Sequence, residues 1–314
     1  SRGLGDVYKR QEYMQVYAVF APVIMVFFAV DNYLRICGRV RYSMILNVVT
    51  ALLNIVLDFL FLVVFRWGVA AAAAASCLSI ALGTVLGFLP FGMGRLPLRF
   101  VRGTISARQL GNILANGSSE FFSSIAGSVM MVILNSVLLR LSGSMAVAAF
   151  SIVMYVDSIV GSLLFGMADS IQPAISYNYG AGEHKRVRRL YQITLILSAA
   201  IMAAGTLGCL VASEPLMRLF TSTPETVEAG KVALRIICLG FVVSAISTTS
   251  SGALEGLGKG TQSLVISLCR YIVFIMLLAW VLCRQFGPVG VWNAFWATEV
   301  LSAIVSLIVY KKSV

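Results

Sequence analysis

Between Arg41 and Arg66 the chain reads Tyr42-Ser43-Met-Ile-Leu-Asn47-Val-Val-Thr50-Ala-Leu-Leu-Asn54-Ile-Val-Leu-Asp58-Phe-Leu-Phe-Leu-Val-Val-Phe65. An apolar run of this length, closed at both ends by arginine, is long enough as an α-helix to cross about 30 Å of hydrocarbon. Further runs of roughly 20 residues or more centre near residues 14–34, 68–90, 113–139, 144–178, 190–212, 231–253, 262–283 and 289–310. Soluble cores do not string nine such runs together, so the sequence predicts an all-α polytopic membrane protein with nine transmembrane helices. Composition agrees: 59% of residues are hydrophobic and only 12% charged, with a mean hydropathy of +0.91.

The basic residues fall at the junctions between runs, and unevenly. Arg35, Arg39 and Arg41, then Arg95, Arg99, Arg102 and Arg108, then Lys185, Arg186, Arg188 and Arg189, then Lys259, and finally Lys311 and Lys312 occupy alternate junctions and the C-terminus. The opposite junctions hold only Arg66, Arg140, Arg218, Lys231 and Arg284. Lys and Arg concentrate on the cytoplasmic side of membrane proteins, which places the C-terminus in the cytoplasm. The net charge of +11 is therefore rim charge that suits anionic lipid headgroups. It is spread over several loops without interleaved aromatics, so no nucleic-acid partner is expected. The six cysteines stand singly with no Cys-x-x-Cys spacing and read as small packing residues, with no disulfide or metal site.

Nine spans ending inside would start outside, yet Ser1 to Gln11 has no apolar signal region and carries Arg2, Lys9 and Arg10. Residues 1–11 are accordingly set aside as a non-native or scar segment, and an odd number of spans is expected upstream. An internal repeat leads to the same expectation. Arg35-Ile-Cys-Gly38-Arg39 followed by Ser43 returns 220 positions on as Glu255-Gly-Leu-Gly258-Lys259 followed by Ser263. After a two-residue slip, Gly68-Val69 returns as Gly290-Val291, and Ser76 falls opposite Thr298. That offset holds six spans, an even number, so the halves would be parallel repeats. The second is complete from about residue 105; the first has its last three spans, leaving three, or roughly 115 residues, expected before it.

Polar residues inside the spans mark the candidate sites. At 100° per residue, Ser43, Asn47, Thr50, Asn54 and Asp58 share an arc of about 80° on an otherwise apolar rod. A carboxylate in lipid costs roughly 3 kcal/mol or more, so Asp58 must face inward and meet a partner. Asp58 and Ser76 both lie roughly 10–12 Å below the outer surface at about 1.5 Å per residue. With Asn54 they could form a hard-cation or proton site; the ordinary alternative is that they only bond neighbouring helices. Glu120, Ser124, Ser128 and Asn135 form a second stripe, weighted toward helix packing, with Glu120 placed at a helix start where the dipole favours it. Asp157 and Glu299 are mid-span carboxylates; Asp157 reads equally as a substrate or proton group and as a structural hydrogen bonder. Asp169, Gln172 and Asn178 surround Pro173, which should kink its helix and free a carbonyl for them. Arg235 can snorkel to the interface. Gly256-Leu-Gly258-Lys259-Gly260 lacks the first glycine and the final Ser or Thr of a phosphate loop, and nothing around His184 forms a metal site or nucleophilic triad. No enzyme chemistry is expected.

Gly166-Met-Ala-Asp169-Ser-Ile-Gln172-Pro173-Ala-Ile-Ser-Tyr177-Asn178-Tyr179-Gly180-Ala-Gly182 with its basic loop resembles the eighth-helix signature of multidrug and toxic compound extrusion (MATE) transporters. Tyr33 to Arg39, Asn54 to Asp58, Gly68 to Ser76 and Gly290 to Glu299 look like that family's fourth, fifth, sixth and twelfth helices, and residues 12–312 stay in register. The resemblance implies a twelve-helix, two-lobe, inverted-V bundle of which helices four to twelve are present. Residues 12–92 would be a partial N-lobe, 93–112 the inter-lobe loop and 113–312 a complete C-lobe. It implies a monomer in a bacterial-type plasma membrane, exporting amphipathic or cationic small molecules against H+ or Na+, with no cofactor beyond that coupling ion. It assigns Asn54, Asp58 and Ser76 to the N-lobe cation site, with Ser in place of the usual Thr, and leaves Asp157, Asp169, Gln172, Asn178 and Glu299 as C-lobe substrate or proton groups. A lipid-linked oligosaccharide flippase of the same superfamily, or a non-transporting scaffold, is the alternative.

Overall fold

The computed structural model describes residues 2–94, 96–98 and 106–313, with side chains from residue 11 onward other than Val69. Arg95, Arg99 and Arg102 of the charge pattern lie outside the described residues. The chain divides into two compact units, Ser1–Thr104 and Ile105–Val314, and all regular structure among the described residues is helical.

The first unit holds α1 (Arg2–Ile36), α2 (Val40–Asp58) and α3 (Val69–Gly92). α1 begins at Arg2, so the segment set aside in the sequence is helical from its second residue. α2 runs on as a π-helix over Phe59–Val64. α3 packs against both other helices. It can do so because Ala71, Ala73 and Ala75, almost wholly buried, let backbones approach closely, the usual means of helix association where lipid leaves no hydrophobic drive between helices. Phe27, Val30 and Leu34 from α1 and Leu46 from α2 fill the contact, with Leu96 beyond α3.

The second unit opens with α4 (Ala107–Gly180), one continuous helical stretch of 74 residues except at Gly143, where φ is 73° and ψ −167°. Only glycine takes that backbone without strain, and it divides the stretch into 107–142 and 144–180. With this division, the eight long apolar helical stretches among the described residues give nine segments, as the hydropathy pattern predicts. α4 starts six residues before the run at 113, inside the stretch expected to be loop. Ser106 N donates to Gln109 Oε1 at 3.3 Å, and the polar first turn this caps is invisible to a search for apolar runs. α5 (His184–Val211), the short α6 (Ser213–Arg218) and α7 (Pro224–Ile237) lead to α8 (Phe241–Gly256). α9 (Gly260–Leu268) passes through a second π-helix, Cys269–Phe274, into α10 (Ile275–Phe286), and α11 (Pro288–Ser313) ends the unit.

α8 is the central element, packed by α4, α5, α9 and α11. Its buried face is hydroxyl-rich: Ser244, Ser247, Thr248, Thr249 and Ser250 are all buried. Around it Phe150, Val153, Phe241, Ile275 and Trp292 form the main apolar core, with Phe150 and Trp292 stacked at 5.7 Å between ring centres. Val19, Met25, Phe59, Ile159 and Val211 are among the large apolar side chains left well exposed. Such a surface is stable against lipid tails and not in water, which makes this a multi-pass integral membrane protein. The six cysteines are free.

Candidate functional site

In the first unit the polar stripe of α2 is shared among three separate arrangements. At its start, Ser43 Oγ and Asn47 Nδ2 donate to Asp31 Oδ1 at 2.5 and 2.8 Å, and Arg35 Nη2 donates to Asp31 Oδ2 at 2.5 Å. Arg35 Nε also reaches Ser43 Oγ at 3.3 Å. Asp31 is 4% exposed. Sequence reading missed it, although a carboxylate in an apolar run four residues before an arginine is the spacing of a helical ion pair. Midway, Thr50 Oγ1 is buried without a hydrogen bond among the described residues. Toward the end, Asn54 Nδ2 donates to Ser76 Oγ at 3.1 Å, joining α2 to α3. Asp58 Oδ1, one turn further on, is buried with no hydrogen-bond partner among the described residues. Asn54 and Ser76 are thus in contact, and the Asp58 carboxylate retains an unused buried acceptor.

In the second unit a cavity of about 550 Å³ opens among α4, α8, α9 and the π-helix after it. Glu120, Asp157, Asp169, Gln172, Glu255 and Arg270 line it, with Met130, Met154, Phe165 and Tyr271 supplying apolar wall. A smaller cavity of about 130 Å³ shares Asp157 and Arg270 and adds Thr298 and Glu299. Two polar clusters hold the walls. Gln172 Nε2 and Ser263 Oγ donate to the two oxygens of Glu255 at 3.0 and 2.8 Å. Arg270 Nε donates to Glu299 Oε1 at 2.8 Å, and Nη2 forms an ion pair with the same oxygen at 2.7 Å.

Of the candidate residues in this unit, Asp157, Asp169 and Gln172 face the large cavity and Glu299 the small one. Asn178 joins neither; its amide donates to Ala174 O at 2.8 Å within its own helix. Pro173 does not break α4, whose only non-helical backbone is at Gly143. Glu120 stands thirteen residues inside α4, well past the first turn where the helix dipole acts, so the dipole explanation fails and Glu120 instead lines the cavity. Ser124 lines it too, while Ser128 bonds back to Ser124 O at 2.9 Å and Asn135 Oδ1 is buried without a partner among the described residues. Arg235, read as snorkelling freely, donates to Ser213 Oγ at 3.0 Å and ties α7 to α6. Sequence reading passed over Arg270 altogether and used Glu255 only as a repeat marker. An arginine within an apolar span needs a buried counter-ion; that rule flags Arg270, and the packing selects Glu299.

The chain is similar to known proteins in sequence and in fold. Multidrug export protein MepA of Staphylococcus haemolyticus is 22% identical over 302 residues, covering 95% of this chain and 66% of that protein. MepA of Staphylococcus aureus is 24% identical over 306 residues, with the same coverage. The chain thus spans just under two thirds of the length of these curated relatives. In fold it is similar to an outward-facing multidrug resistance MATE family transporter of the MOP superfamily, at a TM-score of 0.91 and 24% identity over 96% of this chain and 68% of the other. A MOP superfamily transporter from Pyrococcus furiosus, described as having a binding pocket of reverse polarity that suggests a different function, superposes with a TM-score of 0.91 at 23% identity, over 96% of this chain and 69% of the other. The MatE family model matches residues 7–60 and 121–281, most of the chain and both of its units, and so the chain belongs to the MatE family, whose members are membrane transporters and not enzymes.

Proposed function

We propose that the chain serves multidrug efflux, as a secondary active antiporter that exports organic cations, drugs or other toxic amphipathic compounds in exchange for H+ or Na+. The observation that carries this reading is the composition of the large cavity: four carboxylates, Glu120, Asp157, Asp169 and Glu255, against one guanidinium, with aromatic and methionine side chains beside them. Acidic groups attract a cation, and soft, polarisable walls take an apolar body of variable shape. The MepA relatives, named for multidrug export, support the same reading and a bacterial plasma membrane. Asn54, Asp58 and Ser76 are the proposed coupling-ion ligands, because carboxylate, amide and hydroxyl oxygens suit a hard cation or proton and Asp58 keeps an unbonded buried oxygen. The excess of Lys and Arg at alternate junctions supports a cytoplasmic C-terminus. A flippase for pyrophosphate-linked oligosaccharide would want a cationic cleft, and the cavity's charge has the opposite sign.

Equilibrium dialysis of tetraphenylphosphonium against the purified chain in detergent, with protein-free micelles subtracted, tests this. Asp157→Asn and Glu255→Gln should each weaken binding about tenfold, since a unit charge at contact distance contributes roughly 1 to 4 kcal/mol between bulk water and a protein surface. Unchanged affinity in both variants would remove the basis for a cation cavity.

A further inference from the structure

Arg270 is the only cation among the described residues that line the two cavities of the second unit. Its charge is permanent, since a guanidinium does not deprotonate in proteins. What varies is which carboxylate it neutralises. Asp157 and Glu299 are both within electrostatic reach. Glu299 alone makes contact, accepting a hydrogen bond from Nε on Oε1 at 2.8 Å, with Nη2 at 2.7 Å from the same oxygen. The pair is sequestered, with side chains 17% and 14% exposed, and Arg270 is steadied further by Thr248 Oγ1 at 3.4 Å and by the Tyr271 ring 5.1 Å away. Asp157, which borders both cavities, interacts with Arg270 through charge and not through a hydrogen bond. Glu299 Oε2 is buried with no hydrogen-bond partner among the described residues, so Glu299 grips Arg270 by one oxygen and not by the parallel fork that arginine and carboxylate favour.

We propose that Glu299 is a specificity-determining residue: by occupying Arg270, it leaves Asp157 free to meet a cationic ligand. The proposal rests on the reading of the large cavity as a site for organic cations. When Glu299 loses its charge, the remaining carboxylate that acts on Arg270 is Asp157, which lines the same two cavities. A buried charge left alone is far costlier than a pair, so the guanidinium turns to Asp157 and cancels the carboxylate at the wall shared by the two cavities. The cavity, with Glu120, Asp169 and Glu255 remaining, then holds cations less tightly and repels anions less. When Arg270 and Glu299 are both made neutral, Asp157 is released and the full attraction returns.

Tetraphenylphosphonium and tetraphenylborate, which share size and shape and differ in sign, separate this from a packing defect. Glu299→Gln in the full chain should weaken phosphonium binding about tenfold, close to the effect of one contact charge, and strengthen borate binding. The double variant Arg270→Gln/Glu299→Gln should return phosphonium affinity to the parental value. Loss of both ligands alike, or a double variant no better than the single one, overturns the proposal. If Glu299→Gln does not fold by gel filtration, Glu299→Asp draws the charge back by one methylene and must shift both affinities in the same directions by a smaller factor; no shift overturns the proposal too. Should the parental chain fail to bind phosphonium at all, the efflux reading falls, and the sign of the change in borate binding still decides the role of Glu299.

Discussion

Arg35 and Glu255 occupy the same position in two copies of one turn and carry opposite charges. Each ends a helix ahead of a glycine in the left-handed region, Gly38 at φ 74° and Gly258 at φ 70°. The closing bonds match in kind: Gly38 N to Arg35 O and Arg39 N to Leu34 O, Gly258 N to Glu255 O and Lys259 N to Leu254 O, all between 2.8 and 3.0 Å. Each side chain meets the serine eight positions on, Arg35 as donor to Ser43 and Glu255 as acceptor from Ser263. In the first unit Asp31 neutralises the arginine within one helical turn, and the network closes on itself. In the second the carboxylate is presented to a cavity and meets Gln172 and Ser263, neither of which carries charge.

The closed network should be mainly structural. Asp31→Asn removes the acceptor of Arg35 and half the bonding capacity shared by Ser43 and Asn47, and should lower stability by about 1–3 kcal/mol, the cost of an unmet buried polar group. Arg35→Gln should cost at least as much, because it leaves the Asp31 carboxylate, 4% exposed, without its cation. Thermal unfolding of the purified chain in detergent measures both, and equal midpoints for Asp31→Asn and the parental chain would refute the assignment.

Ion binding should depend on Asp58 more than on its neighbours. A ligand that binds only the folded chain raises its melting temperature in proportion to the logarithm of concentration. Asp58→Asn keeps the shape and loses the charge, so the stabilisation by added Na+ or by acid should vanish. Asn54→Ala and Ser76→Ala should reduce it. A parental-sized response in Asp58→Asn would show that the coupling ion binds elsewhere.

Two glycines with short contacts should respond differently to a methyl group. At Gly290 an added Cβ would lie 2.1 Å from Leu282 O and 2.3 Å from its carbonyl carbon, both backbone atoms of α10. At Gly230 the obstacle is the Cε of Met217, the far end of a flexible side chain. Gly290→Ala should therefore destabilise by about 1–3 kcal/mol or prevent folding, as overpacking does, while Gly230→Ala should be nearly neutral because the thioether can move. The same unfolding assay ranks them, and a Gly290→Ala chain of parental stability would contradict the close approach of α10 and α11.

The spans were legible in the sequence because a hydrocarbon solvent admits so few backbone solutions that length and hydropathy suffice. The repeat was legible because the turns at Gly38 and Gly258 need glycine and a basic residue at matching places. The partners of buried charge were less so. Asp58, Asp157 and Glu299 stand out as acids in apolar runs, but whether each meets a cation depends on which helices adjoin, and that is a property of packing. Arg270 and Asp31 carried the same signal and were passed over. The start of α4 was misplaced for a different reason: a capped polar turn extends a helix beyond its apolar stretch.

The two π-helices have a consequence for any alignment of this chain by helical faces. One begins directly after Asp58 and the other contains Arg270. A π turn holds one residue more than an α turn; the first segment ends its helix at Val64, while the second advances the side chains of α10 by one register step, about 100°, relative to a straight projection. Face assignments made upstream of residue 269 do not carry past 274. A single-residue deletion inside either segment would restore regular winding, and in the second it would bring the flanking faces of α9 and α10 into phase. Relatives one residue shorter in these segments can therefore keep the same helix pairings, whereas the same deletion in an α stretch would turn every later side chain toward the wrong neighbour.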